Sequence, residues 1–478
     1  MGVTENTDRQ EAIINKLHGD KVIWIIVFLL SLISIALIYS ASSSLAFKDG
    51  GTNFAYMIAQ CKFVIMGLVV LYICSKIPLG VYRAFTLPIF IISIILLGLT
   101  LTPLGKEING AKRWIELGPL SFQPAELVKI TIILYLARAL EMWKLDTFKE
   151  FFIKIIMPIG VVCVLNMIGS VSTTIIIGGL SFIVLFIAGV KWSYLGKAVG
   201  IGIASLIVII LINISINKIF DVDLFPRFST ATSRIEKYFV KEDINKEDSA
   251  EEKQKKADET FQADMAKIAI SSVGVLGKGP GNSTQRYVLP HSYSDFIYTT
   301  IIEEYGLLGG VFVLMLYLWL LYRCVMLVKN CSKTFTAITV GGLGLMITIQ
   351  AGLHILVNTG ILPVTGHTLP LVSRGGTSFI IFSAAFGIIL SVSRTIDTDS
   401  AKREELERER IEKEAQEQEE RKKIAQELHK EELESTAEED KTSNNKTEKV
   451  KQRTRQGYGR SEEIVLHEII DKKTGEFK

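Results

Sequence analysis

The chain has 478 residues, of which 49% are hydrophobic and 22% are charged, and its mean hydropathy is +0.33. Its 53 Lys and Arg residues nearly balance 50 Asp and Glu residues, but 43 of these charges lie between Thr395 and Lys478. The preceding part is therefore too apolar for an ordinary soluble enzyme or a disulfide-stabilised secreted scaffold. The composition indicates an all-α polytopic membrane protein with a charged C-terminal tail.

Ten apolar segments are long enough for a bilayer core of about 30 Å, which needs roughly 20 residues of α-helix. The fourth segment is the most polar, because Glu126, Lys129 and Arg138 interrupt it. We therefore predict an N-terminal segment at 1–21, a ten-helix membrane domain at 22–394 and a tail at 395–478. The predicted spans are residues 22–39, 54–74, 84–104, 125–142, 151–168, 172–190, 195–214, 296–322, 335–359 and 377–392.

The orientation follows from the Lys and Arg residues of the short loops, which favour the cytoplasmic side. One side of the predicted domain carries 17 of them and the other carries 5. Both termini are therefore predicted to be cytoplasmic. Three long loops lie on the opposite side and are called the outer loops below: residues 105–124, the large loop 215–295 between spans seven and eight, and residues 360–376.

Two strongly charged regions stand apart from the membrane domain. Thirteen of the nineteen residues 241–259 are charged, which predicts a solvated helix or disorder within the large outer loop. The tail predicts an exposed cytoplasmic helix from Thr395 to Ala437. A flexible segment at Asn444–Arg460 follows, and the apolar patch Ile464–Ile470 is suited to docking onto a partner.

Ionisable residues in or beside a membrane span need a partner or a task. Glu126 and Lys129 are three residues apart on one helical face, so each can neutralise the other. They form either a structural ion pair or one wall of a polar cavity. Glu303 and Glu304 are adjacent in the eighth span, so at most one of them faces a given cavity.

Chemistry in the outer loops centres on one acid and several cations. Asp295 precedes the eighth span, where the local sequence favours a helix N-cap and the alternative is a general base at the membrane surface. The glycine-rich segment Gly277–Ser283 is a weak candidate for a nucleotide loop, because it lacks a preceding strand and a GK[ST] ending. Cations on this side run against the charge trend and suggest an anionic ligand such as a pyrophosphate: Lys112, Arg113, Lys278, Arg286 and Arg374.

Four stretches resemble the SEDS family, which comprises the FtsW, RodA and SpoVE proteins. The resemblance extends from about residue 20 to residue 394. The stretches are Tyr39–Ser42, Asn109–Lys129 with its Ala-Lys-Arg-Trp and Gln-Pro-Ala-Glu, Leu289–Gly306 with its Ser-Asp-Phe and Glu-Glu-Tyr-Gly, and Leu362–Ser378 with its Ser-Arg-Gly-Gly.

The resemblance implies a glycosyltransferase that polymerises lipid II into peptidoglycan. It also implies a class B penicillin-binding protein and other divisome membrane proteins as partners, in the bacterial inner membrane at the septum. By position, Asp295 matches the family's essential aspartate, Trp114 its essential tryptophan, and Glu126 and Lys129 its buried ion pair. The implied reaction is inverting, with Asp295 as the base and with Trp114 and the outer-loop cations binding the substrate.

Several residues depart from the family pattern. His291 and Tyr293 replace a common Glu and a common His, and Arg374 replaces a common Tyr. His354 stands where Asn is frequent, and a packing role is favoured for this histidine. The division branch of the family is favoured over the elongation branch. No metal site, cofactor or nucleic-acid partner is predicted, although a divalent cation is left open. The rival interpretations are a lipid II flippase, which would need polar groups through the whole bilayer depth and inverted repeats, and an inactive scaffold.

Overall fold

A computed structural model describes residues 19–43, 45–46, 50–108, 111–118, 120–220, 261–262, 264–285 and 292–450. The charged insert 241–259, the candidate ligand Arg286 and the patch Ile464–Ile470 lie outside the described residues. The chain divides after Asp399 into two compact units, which are described separately below.

Each predicted span overlaps one helix that begins in the first unit. The helices are α1 (Lys21–Ala41), α2 (Asn53–Lys76), α3 (Leu79–Leu99), α4 (Pro124–Met142), α5 (Phe148–Gly169, with a π-helical turn at Phe152–Ile156), α6 (Val171–Ile187), α7 (Trp192–Phe220), α8 (Ile297–Lys329), α9 (Thr334–Asn358) and α10 (Thr377–Val450). Among the described residues, eight of these helices are long and apolar enough to cross a membrane. The other two are α4, which carries four charges, and α6, which has 17 residues. The structure shows the all-α membrane fold, and the count of ten spans stays a prediction.

The third predicted span is displaced from the helix that forms it. The sequence predicts residues 84–104, whereas α3 begins at Leu79 and ends at Leu99. The prediction assigned Arg83 to the loop before this span. In the structure Arg83 lies inside the helix, and its Nε is 2.8 Å from a carboxylate oxygen of Glu141 at the end of α4.

The first outer loop contains a small sheet that the sequence analysis did not predict. Strands β1 (Gly105–Ile108), β2 (Ala111–Leu117) and β3 (Leu120–Phe122) pair antiparallel in the order β1-β2-β3. The register pairs Lys106 with Trp114, and a bulge follows between Lys106 and Glu107. The Thr377 hydroxyl donates to the Ser121 carbonyl at 2.7 Å, which joins this sheet to the start of α10.

The buried centre of the membrane domain is formed by α4, α9 and the first turns of α10, with α1 and α8 packed beside them. By contrast, α2, α3 and α7 expose many large apolar side chains, as helices at a lipid boundary do. Close helix packing needs small residues. At Gly67 of α2, a Cβ would lie 2.6 Å from the ring of Phe379 on α10.

One ion pair ties α1 to α8 near the predicted cytoplasmic side. Asp20 is the N-cap of α1 and accepts a hydrogen bond from the Val22 amide at 2.8 Å. Its other carboxylate oxygen accepts from Nε of Arg323 at 2.8 Å. The two residues are about 300 positions apart, so their pairing leaves no local signal in the sequence.

A break in α8 receives the backbone of the large outer loop. Gly306 has φ 70° and ψ −170°, so the helix is interrupted there. The amides of Lys278 and Gly279 donate to the carbonyls of Glu303 and Glu304 at 3.0 and 2.9 Å. A Cβ at Gly306 would overlap the facing loop backbone, so this approach requires glycine.

The second unit begins at Ser400, and its described part is the helical segment up to Val450. Its described side chains are exposed, and charges four residues apart form ion pairs such as Lys423 with Glu419 at 3.2 Å. The helix predicted to end at Ala437 continues to Val450. Residues 444–450, which were predicted to be flexible, are therefore helical.

Candidate active site

Asp295 lies in a turn formed by residues 292–296, immediately before α8. The N-cap of α8 is Phe296, and no side chain caps the helix. The N-cap interpretation of Asp295 is therefore wrong. In the part of the chain that the structure describes, the Asp295 carboxylate makes no hydrogen bond and no ion pair. The carboxylate is free to act on a ligand.

The backbone around Asp295 is held by α9 and by the third outer loop. Asn358 at the end of α9 donates to the Asp295 carbonyl at 2.9 Å. The Ser373 hydroxyl donates to the Ser294 carbonyl at 2.7 Å. Gly366 of the same loop lies so close that a Cβ there would be 3.6 Å from Oδ2 of Asp295. These contacts hold the backbone of the turn and leave the carboxylate oxygens without a hydrogen bond from the described residues.

Three polar residues at four-residue intervals share one face of α9. Gln350 donates to the Thr368 carbonyl at 3.1 Å, and Nδ1 of His354 lies 2.6 Å from the His367 carbonyl. Asn358 continues this row to Asp295. His354, for which a packing role was favoured, also lies within electrostatic reach of Asp295. The regular polar spacing in an apolar helix was the signal that could have identified the row.

Glu126 and Lys129 form a buried ion pair on α4, with 2.8 Å between Nζ and Oε2. Lys129 has 0% of its side chain exposed and Glu126 has 5%. Lys129 also donates to Oε1 of Gln350, and its Nζ lies 5.6 Å from the centre of the Phe382 ring. The pair thereby joins α4 to the polar row of α9.

His367 is a buried histidine of the third outer loop, and its Nε2 has no partner among the described residues. Burial lowers its pKa to about 3, and the positive charges of Lys129 and Arg113 act in the same direction. The imidazole is therefore uncharged at neutral pH. Its position brings the α4 ion pair and Arg113 of the sheet into one electrostatic environment with His354.

The sheet carries three of the predicted substrate-binding residues in consecutive positions of β2. Lys112 is exposed, while Arg113 and Trp114 are half-buried. The Trp114 indole N–H is buried and has no hydrogen-bond partner within the described ranges. A buried donor of this kind requires an explanation, and a ligand that accepts its hydrogen bond would supply one.

Among the predicted substrate cations, Lys278 is paired with Glu303. Their Nζ and Oε1 atoms are 2.7 Å apart, and the Glu303 carboxylate also accepts from the Ser283 hydroxyl at 2.5 Å and the Thr284 amide at 3.0 Å. Glu304 instead accepts from the Ser40 hydroxyl of α1. Glu303 and Glu304 therefore bind different segments. In the glycine-rich segment Gly277–Ser283, the amides of Lys278 and Gly279 donate to α8 and are not available to a phosphate.

Arg374 lies against two tyrosines beside the Asp295 turn. Its guanidinium carbon is 4.6 Å from the centre of the Tyr56 ring and 5.4 Å from that of Tyr293. One end of the helix assembly therefore gathers a free carboxylate, an arginine, a tryptophan and two histidines. Such a set can accept a proton and can stabilise an anion.

These features define a multi-pass membrane protein with a polar site built from its outer loops. Residues 20–398 match the family described as "Cell cycle protein", which is the FtsW/RodA/SpoVE family. The match covers well over half of the chain, and the chain belongs to this family.

Named relatives agree with this assignment. The chain is 29% identical over 382 residues to the probable peptidoglycan glycosyltransferase FtsW of Coxiella burnetii, covering 77% of this chain and 95% of that protein. It is 30% identical over 387 residues to the peptidoglycan glycosyltransferase MrdB of Escherichia coli K12, covering 79% and 94%. The chain is a glycosyltransferase and a multi-pass protein of the bacterial inner membrane.

Two solved structures share the fold. A chain from a peptidoglycan synthase complex, described as coordinating polymerization and crosslinking, superposes with a TM-score of 0.58 at 24% identity, covering 79% of this chain and 98% of that chain. The Rod shape determining protein RodA of Thermus thermophilus gives a TM-score of 0.55 at 24% identity, covering 80% and 98%. At this identity the likeness concerns the architecture.

Proposed function

We propose that the chain polymerises lipid II into peptidoglycan glycan strands, with inversion at the donor sugar and release of undecaprenyl pyrophosphate. The observation that carries the proposal is the Asp295 carboxylate, which is fixed through its backbone and has no protein partner among the described residues. A general base must be positioned and must keep its lone pairs available for the substrate.

In this reaction Asp295 takes the proton from the 4-hydroxyl of the acceptor N-acetylglucosamine. The hydroxyl oxygen forms a bond to the anomeric carbon of the donor N-acetylmuramic acid, and the bond from that carbon to the pyrophosphate breaks. The leaving pyrophosphate keeps the electron pair, and outer-loop cations stabilise its charge. Retention would need a second carboxylate as nucleophile close to the first. The acids that follow Asp295 most closely along the chain, Glu303 and Glu304, are already engaged with Lys278 and Ser40.

The substrate-binding residues of the proposal are Trp114, Lys112, Arg113 and Arg374, together with Arg286 of the large loop. Trp114 brings an unsatisfied indole donor, and Lys112 an exposed charge on the same strand. Glu126 and Lys129 form the floor of the site rather than contacting the reacting atoms. The engagement of Lys278 by Glu303 argues for a structural role of that lysine.

The proposed partner is a class B penicillin-binding protein that crosslinks the new strands, with other divisome proteins nearby. The solved peptidoglycan synthase complex of similar fold, which is described as coordinating polymerization and crosslinking, supports this pairing. We propose that the chain belongs to the division branch and acts at the septum, because of the sequences of its outer loops and its long tail. Both termini are proposed to be cytoplasmic. The relatives include both FtsW and MrdB proteins, so this branch assignment is the finer part of the proposal.

The test is lipid II polymerisation by the purified full chain, with and without its class B penicillin-binding protein, with the glycan products resolved on gels. Asp295→Asn keeps the shape of the side chain and should lower polymerisation by at least about a hundredfold, within the typical range for a general base. The matched control is Asp264→Asn, which changes an exposed acid of the same outer loop.

Near-normal synthesis by the Asp295→Asn variant would refute the catalytic assignment. Transfer of labelled lipid II across sealed proteoliposomes without polymer formation would instead identify a flippase.

A further inference from the structure

Arg374 packs between outer-loop and helix residues, and its guanidinium faces aromatic rings rather than a carboxylate of the described residues. Its guanidinium lies over the rings of Tyr56 on α2 and Tyr293 in the Asp295 turn, at 4.6 and 5.4 Å from the ring centres. Its backbone amide donates to the Tyr293 carbonyl at 3.0 Å. The arginine is thus held from its main chain and across the faces of its side chain.

The N–H groups at the edge of this guanidinium are available. Across the described ranges, the Arg374 side chain makes no hydrogen bond and no ion pair, and its guanidinium lies against two aromatic rings. Aromatic faces hold a guanidinium by cation–π attraction but accept none of its in-plane hydrogen bonds. Those N–H groups form a fork that matches two oxygens of one phosphate. A half-buried guanidinium whose N–H groups are not engaged by the described residues can therefore bind an anion.

The position of Arg374 selects the kind of anion. Tyr293 is two residues before Asp295, and the neighbouring Ser373 anchors Ser294 at 2.7 Å. The arginine therefore packs against the turn that carries the proposed base. At that place the anion that appears in the reaction is the diphosphate of the polyprenyl-linked donor, which becomes the leaving group.

We propose that Arg374, clamped by Tyr56 and Tyr293, binds the diphosphate of the lipid-linked donor, and that the two tyrosines are positioning residues for it. This inference rests on the proposed function and deepens it. The same fork would also fit the phosphodiester of an ordinary phospholipid headgroup, so the test includes both sources of phosphate.

The test measures the Kd of farnesyl diphosphate for the purified full chain in detergent micelles by titration calorimetry. Arg374→Gln should raise this Kd about tenfold or more, and Arg374→Lys several-fold, because lysine keeps the charge but loses the fork. Tyr293→Leu should raise the Kd several-fold, whereas Tyr293→Phe, which keeps the ring, should stay close to the wild type. The matched control is Lys106→Gln, which removes an outer cation that is paired with Glu116.

Equal Kd values for the wild type and Arg374→Gln would overturn the proposal. Competition by phosphatidylglycerol at the same concentration as farnesyl diphosphate would also overturn it, because it would assign the fork to membrane phospholipid. If Arg374→Gln does not fold, as judged by its thermal midpoint, the comparison of Tyr293→Leu with Tyr293→Phe decides alone.

Binding and polymerisation can fail separately. Asp295→Asn should bind farnesyl diphosphate like the wild type while losing polymerisation. If the wild-type chain binds the diphosphate through Arg374 but makes no glycan, the proposed function is contradicted and the diphosphate site is not. Polymerisation with unchanged diphosphate binding in Arg374→Gln contradicts the clamp alone.

Discussion

Asn358 joins the end of α9 to the backbone of Asp295. Its Nδ2 donates to the Asp295 carbonyl at 2.9 Å, and its Oδ1 accepts from the amide and the hydroxyl of Thr299 at 3.1 and 3.0 Å. One buried amide therefore fixes the turn before α8 and the first turn of that helix together. Because Asn358 does not titrate, it can position Asp295 without changing its charge.

Replacing Asn358 by Leu should separate positioning from binding. The variant leaves the Asp295 carbonyl and the Thr299 amide without partners, at a cost of about 1–3 kcal/mol for each buried group. We expect kcat for lipid II polymerisation to fall about tenfold or more with a smaller change in KM. The control is Thr359→Ala, whose hydroxyl donates to the Ile355 and Leu356 carbonyls of its own helix. An unchanged kcat in a folded Asn358→Leu protein would show that this amide does not position the base.

The buried pair on α4 should be costly to break from one side. Glu126→Ala leaves the fully buried Lys129 without its carboxylate, which costs about 3–5 kcal/mol. We expect a lower folded yield in detergent and a lower thermal midpoint, together with lower activity. The double change Glu126→Leu with Lys129→Met should restore the yield, because both charges are removed.

Activity should not return in that double variant, since Gln350 loses the donor that Lys129 supplies to its Oε1. Gln350 in turn holds the Thr368 carbonyl of the third outer loop. Recovery of both yield and activity would show that the pair has only a structural role.

Glu303 should matter more for stability than Lys278 does. Glu303→Leu strands the lysine and the donors of Ser283 and Thr284, whereas Lys278→Met removes one of several partners of a carboxylate that stays hydrogen-bonded. We expect the thermal midpoint to fall by several degrees for Glu303→Leu and by less for Lys278→Met. A rise in the KM for lipid II with an unchanged midpoint in Lys278→Met would restore the predicted substrate-binding role of that lysine.

Because His367 is buried in its uncharged form, we expect the folded protein to lose stability in mild acid. The unfolded chain binds a proton on this residue below its ordinary pKa of 6.5, whereas the folded chain does so only near its lowered pKa of about 3. Acid therefore favours the unfolded state between these values, by roughly 1.4 kcal/mol per pH unit at most. The thermal midpoint of His367→Leu, measured from pH 7 to pH 4, should fall less steeply than that of the wild type. His429→Gln in the exposed tail is the control, and equal slopes for His367→Leu and the wild type would contradict the prediction.

The sequence predicted the helices well because a membrane span is recorded locally, as a run of about 20 apolar residues. The predicted third span left Arg83 in a loop, because an apolar run does not record that Glu141 neutralises this charge within the helix assembly. The sheet at 105–122 was missed because its strands are short and its alternation is interrupted by the bulge after Lys106. Local patterns of this kind fall below what a strand signal requires.

Long-range pairings were the other gap. Asp295 was selected, but its local sequence favoured a helix cap, and the contacts that hold its backbone come from Asn358 and Ser373 more than 60 positions later. Glu303 and Lys278 were each selected without being paired. The break at Gly306 was hidden because the apolar pattern continues across it. Such features depend on which segments meet in space, and one sequence does not record this directly.

The charged tail should be separable from the chemistry. Residues 400–478 belong to the second unit, whose described side chains are exposed, while the residues proposed for catalysis lie in the first unit on the predicted outer side. We expect a chain ending at Asp399 to polymerise lipid II in vitro at a rate within about twofold of the full chain. A fluorescent fusion of the same truncation should lose its enrichment at the division septum, because an exposed charged helix is suited to contacting a partner. Collapse of polymerisation with normal septal enrichment would show instead that the tail acts on folding or activity.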